Sequence, residues 1–315
     1  MPSTLIEMPQ LRSLGQELEM EHVGEMCDSS GLRNDPEALR SRMESDGYLL
    51  MRGLLDRERV LSTRREVIRR LADNGYLLPD TDPDLGIANP AKPSYFMPDL
   101  LAKDNRDLKQ LLYNGNMIAF FEQFLGEPVR HYDFTWFRSV WPGRGTPAHC
   151  DIVYMGRGER KRLYTAWTPI GDIDYAMGGL MVLENSHQHE RLRSTYCQMD
   201  VDTYCTNKNQ PIPDGLATTK DQDKTWGERF SGWLAGSPNQ IRKSLGGRWL
   251  TTEYDAGDLL VFSTYLVHGS LDNTSDRIRM SSDSRYQPAS SPADERWVGV
   301  NPVGHSRAGK RGRIC

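Results

Sequence analysis

Apolar positions in the first 126 residues recur at helical spacing. Together with one compact apolar run, the pattern predicts four elements: helix 35–46, strand 48–51, helix 57–73 and helix 107–125. Asp35 and Asp56 are suitable N-caps, and Gly126 is a suitable residue to end the third helix. The N-terminal half therefore indicates helices around an early strand.

The pattern changes after Gly126, where short runs of aromatic and β-branched residues alternate with Pro/Gly turns. These runs predict strands over 130–141, 163–170, 179–184, 248–254, 258–263 and 277–287. Short, turn-bounded strands at such spacing are typical of an antiparallel sandwich or barrel.

One main domain is predicted over 37–288, because no repeat or strong linker divides the chain. A polar lead-in, helical or partly disordered, precedes it over 1–36. Residues 190–247 interrupt the strand pattern and indicate a long insertion, which could serve as a lid. A C-terminal tail is predicted over 289–315, basic and frayed at its end.

Composition limits the classes of function. The 315 residues carry a net charge of −4, with 37% hydrophobic and 26% charged residues, which argues against nucleic-acid binding. No long apolar run predicts a membrane span, and the N-terminus does not look like a secretory signal. Five scattered cysteines without a CxxC pair indicate reduced thiols in a cytoplasmic protein. The sequence does not indicate an oligomeric state.

His149 and Asp151 form an H-x-D pair that could bind a metal ion. On an extended segment residues i and i+2 point the same way, so an imidazole nitrogen and a carboxylate oxygen can reach one ion. His268 is the candidate for a third ligand. Two histidines and one carboxylate leave open positions on Fe(II) for a co-substrate and O2.

Spacing alone does not select this pair. His131 and Asp133 form a second H-x-D pair, and His187 and His189 lie in a third cluster. H-x-D also occurs by chance, and a lone histidine is usually a surface or core residue.

The segment 277–287 alternates between polar and other side chains. Its odd positions carry Arg277, Arg279, Ser281, Asp283 and Arg285. A strand with this pattern has one polar face, which would be either a solvent face or the polar interior of a barrel. In an interior, an arginine could hold a dicarboxylate through a bidentate pair.

Several ordered motifs resemble the phytanoyl-CoA dioxygenase family of 2-oxoglutarate enzymes over about residues 45–288. They are the D-G-Y-L-L-M-R-G run at 46–53, P-G followed by T-P-A-H-C-D at 142–151, G-G-L-M-V-L-E-N-S-H at 178–187, and H-G-S-L-D-N-T-S with a later arginine from 268 to 279. Glu184-Asn185 departs from the family's more usual Pro-Gly, and the 190–247 insertion has no counterpart that we can place.

The resemblance selects among the histidines. His131 and Asp133 lack the preceding turn, so the resemblance favours His149, Asp151 and His268 as the ligands of Fe(II). It also implies a double-stranded β-helix, a jelly-roll of the cupin-like kind, as the core of a mainly β fold with flanking α-helices.

The resemblance further implies a 2-oxoglutarate site. Arg279 would pair with the far carboxylate of 2-oxoglutarate, aided by Ser270 or Ser281, and Trp167, 18 residues after His149, would pack beside it. Arg277 and Arg285 are the next candidates for the clamp.

The implied activity is oxidation of a small molecule, most simply hydroxylation, with O2 consumed and succinate and CO2 released. An Asp at 151 favours hydroxylation or desaturation, because related halogenases have a small residue there. Three alternatives remain: a cupin-like metal enzyme of another class such as an isomerase, a binding protein that has lost turnover, and a nucleic-acid-modifying enzyme.

Overall fold

Strands dominate the fold and helices flank them, as predicted. The computed structural model describes residues 8–93, 97–205 and 231–313. Its strands are β1 (Arg12–Ser13), β2 (Gln16–Glu17), β3 (Val23–Glu25), β4 (Tyr48–Met51), β5 (Val129–His131), β6 (Trp136–Val140), β7 (Tyr164–Pro169), β8 (Leu180–Leu183), β9 (Thr203–Cys205), β10 (Trp249–Thr251), β11 (Leu259–Ser263), β12 (His268–Ser270), β13 (Arg279–Pro288) and β14 (Arg311–Arg313). Its α-helices are α1 (Pro36–Asp46), α2 (Arg57–Asp73), α3 (Pro98–Leu101), α4 (Arg106–Tyr113), α5 (Asn116–Leu125), α6 (Ile152–Met155), α7 (Glu190–Ser194) and α8 (Pro238–Leu245).

The first two predicted helices are confirmed, and the third is divided. Asp35 and Asp56 cap α1 and α2 by accepting hydrogen bonds from backbone N–H groups three residues on, at 3.0 and 2.8 Å. The single helix predicted over 107–125 is wrong, because Asn114 is extended and Gly115 has a φ of 56° and a ψ of −130°. Only glycine adopts that conformation readily, so the chain turns there between α4 and α5.

Two sheets form the centre of the molecule. The larger has the strand order β4-β11-β7-β13-β5, with β6 also paired to β13, and the smaller has the order β12-β8-β10-β3. The pairings are antiparallel except between β10 and β3. The sheets are open rather than closed into a barrel, so the interior expected from the sequence is the space between them.

Apolar clusters cover the larger sheet on both faces. Leu50, Trp167 and Leu260 of this sheet meet Val182 and Leu250 of the smaller sheet in the space between them. Helices α1, α2, α4 and α5 pack on the opposite face in a second cluster. This double coverage explains why β13 is buried along its whole length.

The polar alternation of β13 is therefore an interior feature and not a solvent face. Met280 and Tyr286 belong to the cluster under the helices. Arg279 and Arg285 are each 1% exposed on the other side of the strand. Burying two guanidinium groups is costly unless they bind partners, so this face must hold charge or a ligand.

Gly47 connects two of the motifs read from the sequence. It ends α1 with a φ of 77°, and a Cβ there would lie 2.5 Å from Nδ1 of His187. The His187 ring is buried, and its Nε2 lies 3.0 Å from the carbonyl oxygen of Glu44. The D-G-Y and S-H motifs thus pack against each other, and His187 has a structural role.

We expect Gly47→Ala to lower the free energy of unfolding more than Gly126→Ala does. Both glycines end a helix at positive φ, 77° and 74°, which costs an alanine about 1–2 kcal/mol. Only the Gly47 variant adds a collision with His187, since no described atom lies within 4 Å of a Cβ at Gly126. Urea denaturation of the two variants measures the difference, and equal losses would contradict the His187 contact.

The N-terminal segment is part of the fold from residue 8 onward. Strand β3 pairs in parallel with β10 at the edge of the smaller sheet. The backbone N–H groups of Leu14 and Gly15 both donate to the carboxylate of Asp272 at 2.8 Å. The helical or partly disordered lead-in expected over 1–36 is therefore wrong for its described residues, 8–36.

The C-terminal segment is also folded, as far as residue 313. Strand β14 pairs in parallel with β9. Asp202 is buried and accepts hydrogen bonds from Arg296, at 2.6 Å, and from Lys310. The expectation of a frayed, solvated end is wrong for residues 308–313, because buried ion pairs hold this segment to the domain.

The predicted insertion is described over 190–205 and 231–247, where it forms α7, β9 and α8. The remaining part of this insertion, 206–230, lies outside the described residues. The same is true of that part of the lid predicted for the insertion. Across the part of the chain that the structure describes, no helix is both long and apolar enough to cross a membrane.

Candidate metal centre

The smaller sheet places the two predicted histidine ligands opposite each other. His149 and His268 form an antiparallel bridge, with backbone N···O distances of 2.9 and 3.0 Å. Their ring centroids are 4.3 Å apart. Asp151 lies two residues after His149, at the start of α6, and its carboxylate faces both histidine rings.

The three ligand atoms converge in a buried pocket. Oδ1 of Asp151 lies 3.6 Å from Nε2 of His149 and 3.7 Å from Nε2 of His268. Each histidine donates Nδ1–H to a backbone carbonyl two residues earlier, Pro147 at 2.8 Å and Leu266 at 3.0 Å. Those bonds fix the ring orientation and leave both Nε2 lone pairs for a metal ion.

The second oxygen of Asp151 is held away from this point. Its Oδ2 accepts hydrogen bonds from Thr165 Oγ1 at 2.5 Å and from Arg285 Nη2 at 2.7 Å. Burial alone would raise the pKa of Asp151, but the charge of Arg285 and the adjacent imidazole rings hold it well below its ordinary value. The carboxylate is therefore charged and presents one oxygen to the ion.

The donor set fits a divalent transition metal. Burial, and the neighbouring His149, lower the pKa of His268 to about 4, so its ring is neutral at pH 7. Two neutral imidazoles and one carboxylate are the ligands of non-haem Fe(II) oxygenases. His149, Asp151 and His268 also satisfy, by mutual distance, the requirement for a three-ligand metal site.

We expect Arg285→Leu to destabilise the metal-free protein by about 3–5 kcal/mol, because it leaves the buried carboxylate of Asp151 without its partner. Added Fe(II) should restore more stability to the variant than to the wild type, since the cation balances the same charge. Thermal unfolding with and without Fe(II) measures both effects.

Arg277→Leu is the matched control for this prediction. Arg277 pairs with Asp174 at 2.8 Å, and both side chains are at least 40% exposed, so its loss should cost less than about 1 kcal/mol. Equal costs for the two leucine variants would contradict the role of Arg285.

Arg279 and Ser281 meet on β13, where the sequence placed a co-substrate clamp. Nη1 of Arg279 donates to Ser281 Oγ at 2.8 Å, and its Cζ lies 5.9 Å from the ring centroid of Trp167. Burial, and the charge of Arg138, lower the pKa of Arg279 to about 10, which leaves it charged at pH 7. Ser270 does not join this group: its Oγ accepts a hydrogen bond from the backbone of Thr146 at 2.8 Å.

Two buried donors near the clamp have no acceptor. Among the described residues, neither Nε of Arg279 nor Nε1 of Trp167 has a hydrogen-bond partner. Leaving a buried donor without a partner is unfavourable, and a carboxylate would satisfy such groups. Of the two other clamp candidates, Arg277 pairs with Asp174, and Arg285 pairs through Nη2 with Asp151, while its Nε and Nη1 have no partner among the described residues.

The rival histidine clusters lie apart from this centre. His131 stacks on Tyr113 at 4.2 Å between ring centroids, and its Nδ1 is 3.5 Å from Asp133. His187 packs against Gly47, and Nδ1 of His189 caps α7. None of these three histidines belongs to either of the two groups of described residues that could hold a metal ion, the triad and the more exposed set Glu19, Glu21 and His22.

A cavity of about 590 Å³ adjoins the triad. Its described lining consists of Leu14, Trp136, Arg138, Ser139, Val140, Trp141, Arg144, Gly145, Thr146, Pro147, His149, Asp151, Tyr154, Met155, Trp233, Arg285 and His305. A volume of this size suits a small organic molecule.

Sequence reasoning missed several of these residues. The i, i+2 spacing of Trp136 and Arg138 on a predicted strand could have placed both on one face. His305 carried no such signal, because it reaches the cavity through the folding of the C-terminal segment.

A comparison with protein-family models decides the family. Residues 43–281, well over half of the chain, match the family described as phytanoyl-CoA dioxygenase (PhyH). The chain belongs to this family. Membership confirms the resemblance read from the sequence, and with it the predicted class of enzyme, a dioxygenase.

Curated relatives of this PhyH protein are hydroxylases. It is 28% identical over 283 residues to the 1-deoxypentalenic acid 11-beta-hydroxylase of Streptomyces exfoliatus, covering 85% of this chain and 87% of the relative. The enzyme of the same name from Streptomyces arenae is 28% identical over 276 residues, covering 84% and 86%.

Solved structures confirm the double-stranded β-helix fold of the PhyH protein. The non-haem α-ketoglutarate-dependent carbocyclase SnoK of nogalamycin biosynthesis is 17% identical, with a TM-score of 0.55 over 88% of this chain and 92% of that one. The epimerase SnoN, solved with Fe3+, α-ketoglutarate and nogalamycin RO, is 20% identical, with a TM-score of 0.52 over 85% and 94%.

Proposed function

We propose that this PhyH protein is a non-haem Fe(II)- and 2-oxoglutarate-dependent dioxygenase that hydroxylates a small molecule and releases succinate and CO2. The proposal rests on the closeness of two buried groups, the metal-binding triad and Arg279. A buried triad of two histidines and one carboxylate lies between the sheets that also bury Arg279, an arginine with no carboxylate partner among the described residues.

The residues divide the work as follows. His149, Asp151 and His268 would hold the iron. When bound, the iron would activate O2, with 2-oxoglutarate as the source of electrons. Arg279 would bind the far carboxylate of 2-oxoglutarate, with Ser281 fixing its guanidinium. Trp167, fully buried beside it, would exclude water from the co-substrate.

The cavity beside the triad would hold the substrate. Orientation of the reacting carbon toward the iron is the main contribution a protein makes to such chemistry. The hydroxylases of the two Streptomyces species act, by their names, on 1-deoxypentalenic acid, and the similarity extends over most of both chains. This supports hydroxylation of a small molecule over the other oxidations.

We also propose the dioxygenase domain as 37–288, with segments on both sides packed onto it. Trp233, from the 190–247 insertion, lines the cavity, which supports a role for the insertion in substrate binding. A cytoplasmic location and the lack of nucleic-acid and membrane partners stay predictions from the sequence.

Anaerobic titration of the Fe(II)-loaded protein with 2-oxoglutarate tests the proposal. A weak visible charge-transfer band should appear in the wild type and be absent in His268→Ala. Iron binding without the band would favour a metal enzyme of another class, such as an isomerase. No iron binding would favour a binding protein.

A further inference from the structure

Arg138 lies on the cavity wall with part of its guanidinium group uncommitted. Its Nε donates to Asp283 Oδ2 at 2.6 Å, and among the described residues this is its side chain's one hydrogen bond. The Arg138 side chain is 29% exposed, whereas Asp283 is 6% exposed. The buried carboxylate therefore fixes the arginine, while the terminal amino groups are left for a ligand.

The position of Arg138 is close to the metal centre. It pairs in register with Ser281 of β13 and shares a strand face with Trp136, two residues earlier. The Trp136 ring in turn lies 4.3 Å from Cζ of Arg285, which holds Asp151. A group bound to Arg138 would thus lie beside the triad, in the cavity that both residues line.

The described lining contains three arginines, Arg138, Arg144 and Arg285, and one carboxylate, Asp151. Asp151 is paired with Arg285, and Arg138 is paired through its Nε with Asp283, which does not line the cavity. The terminal amino groups of Arg138 are therefore donors on the cavity wall, and the acceptor whose geometry suits a guanidinium group best is a carboxylate.

Apart from these charges the walls are mainly aromatic and aliphatic. Trp136, Val140, Trp141, Tyr154 and Met155 all line the cavity. Such walls suit an apolar molecule, and a few polar groups then fix its orientation.

We propose that the substrate is a compact apolar molecule bearing one carboxylate, and that Arg138 binds this carboxylate through its terminal amino groups. The inference rests on the proposed function and deepens it. It gives Arg138 a task separate from that of Arg279, which is not part of the cavity lining and is assigned to the co-substrate. With its carboxylate fixed, the apolar body would present a C–H bond to the triad.

Ligand titration tests the proposal without the need for turnover. The protein, loaded anaerobically with Fe(II) and 2-oxoglutarate, is titrated with carboxylic acids of increasing size, from cyclohexane- and adamantanecarboxylate to decalincarboxylate, and with the matching primary amides. Binding is read from tryptophan fluorescence, since Trp136, Trp141 and Trp233 line the cavity.

For at least one acid we expect about ten-fold tighter binding or more than for its amide, as for a charge-assisted pair. Arg138→Met should abolish this preference. The Arg138→Met variant leaves the buried carboxylate of Asp283 without its partner. The double variant Arg138→Met/Asp283→Asn removes that charge as well, and it should also lose the preference for the acid. Arg277→Met, at the exposed ion pair, should keep the preference.

Three outcomes would overturn the proposal: no acid binding better than its amide, a preference that survives in both Arg138 variants, or a preference that depends on Arg144→Met instead. Repeating the titration without iron separates this inference from the proposed function. An acid preference without a charge-transfer band would support the cavity assignment and refute the dioxygenase. A charge-transfer band without an acid preference would support the dioxygenase and refute the cavity assignment.

Discussion

Asp151→Ala is expected to abolish turnover and to weaken Fe(II) binding by more than about 100-fold, because even partners that only orient a metal ligand are worth 10–100-fold. The variant removes the carboxylate that faces both histidine Nε2 atoms, at 3.6 and 3.7 Å. Equilibrium dialysis with Fe(II) under anaerobic conditions measures the loss of affinity.

The chain contains a matched control for this variant. Asp133 belongs to the rival H-x-D pair with His131, yet it lies outside the cluster that could hold a metal ion. Asp133→Ala should therefore bind iron like the wild type. Asp151→Ala also leaves Arg285 buried and unpaired. His268→Ala avoids this side effect, because His268 is not ion-paired to Arg285, and it therefore supplies a second test of iron binding. Normal turnover by Asp151→Ala would refute the metal centre.

Arg279→Ala should raise the KM for 2-oxoglutarate by about 10- to 100-fold, as expected for the loss of a charge-assisted pair. The reason is that Arg279 is the buried arginine of β13 without a carboxylate partner among the described residues. The wild-type and variant KM values are compared with saturating substrate, and the charge-transfer band gives an independent measure of co-substrate affinity.

Arg277→Ala controls for loss of a charge two residues away. Arg277 is 40% exposed and engaged with Asp174, so its removal should leave the KM for 2-oxoglutarate unchanged. An unchanged KM in Arg279→Ala would place the clamp elsewhere. Arg285 is a poor substitute, because its loss would disturb Asp151 and thereby iron as well.

Much of the site follows from local sequence rules. The spacing of His149 and Asp151 in the sequence predicts that both side chains lie on one side of the chain, and their ligand atoms do lie 3.6 Å apart. The polar alternation of 277–287 predicts that Arg279, Ser281 and Arg285 share a face. Capping residues mark where α1 and α2 begin, because a cap acts within one helical turn.

Local rules failed where a distant partner decides the outcome. The break at Gly115 is one case, since both flanking helices bury apolar faces under the same sheet and so look continuous in the sequence. The N-terminal segment is another, because β3 has only three residues and forms by pairing with β10 more than 200 positions away.

The family motifs in the sequence predicted the set of ligands and the class of fold, and the alternation within one segment predicted the face on which the arginines lie. Only the tertiary structure decided what each arginine does. Arg279, Arg285 and Arg138 carry the same charge. Within the part of the chain that the structure describes, Arg279 has no carboxylate partner, Arg285 pairs with Asp151 and Arg138 pairs with Asp283. That difference arises because a buried charge is defined by its partners, and those come from other strands of the fold.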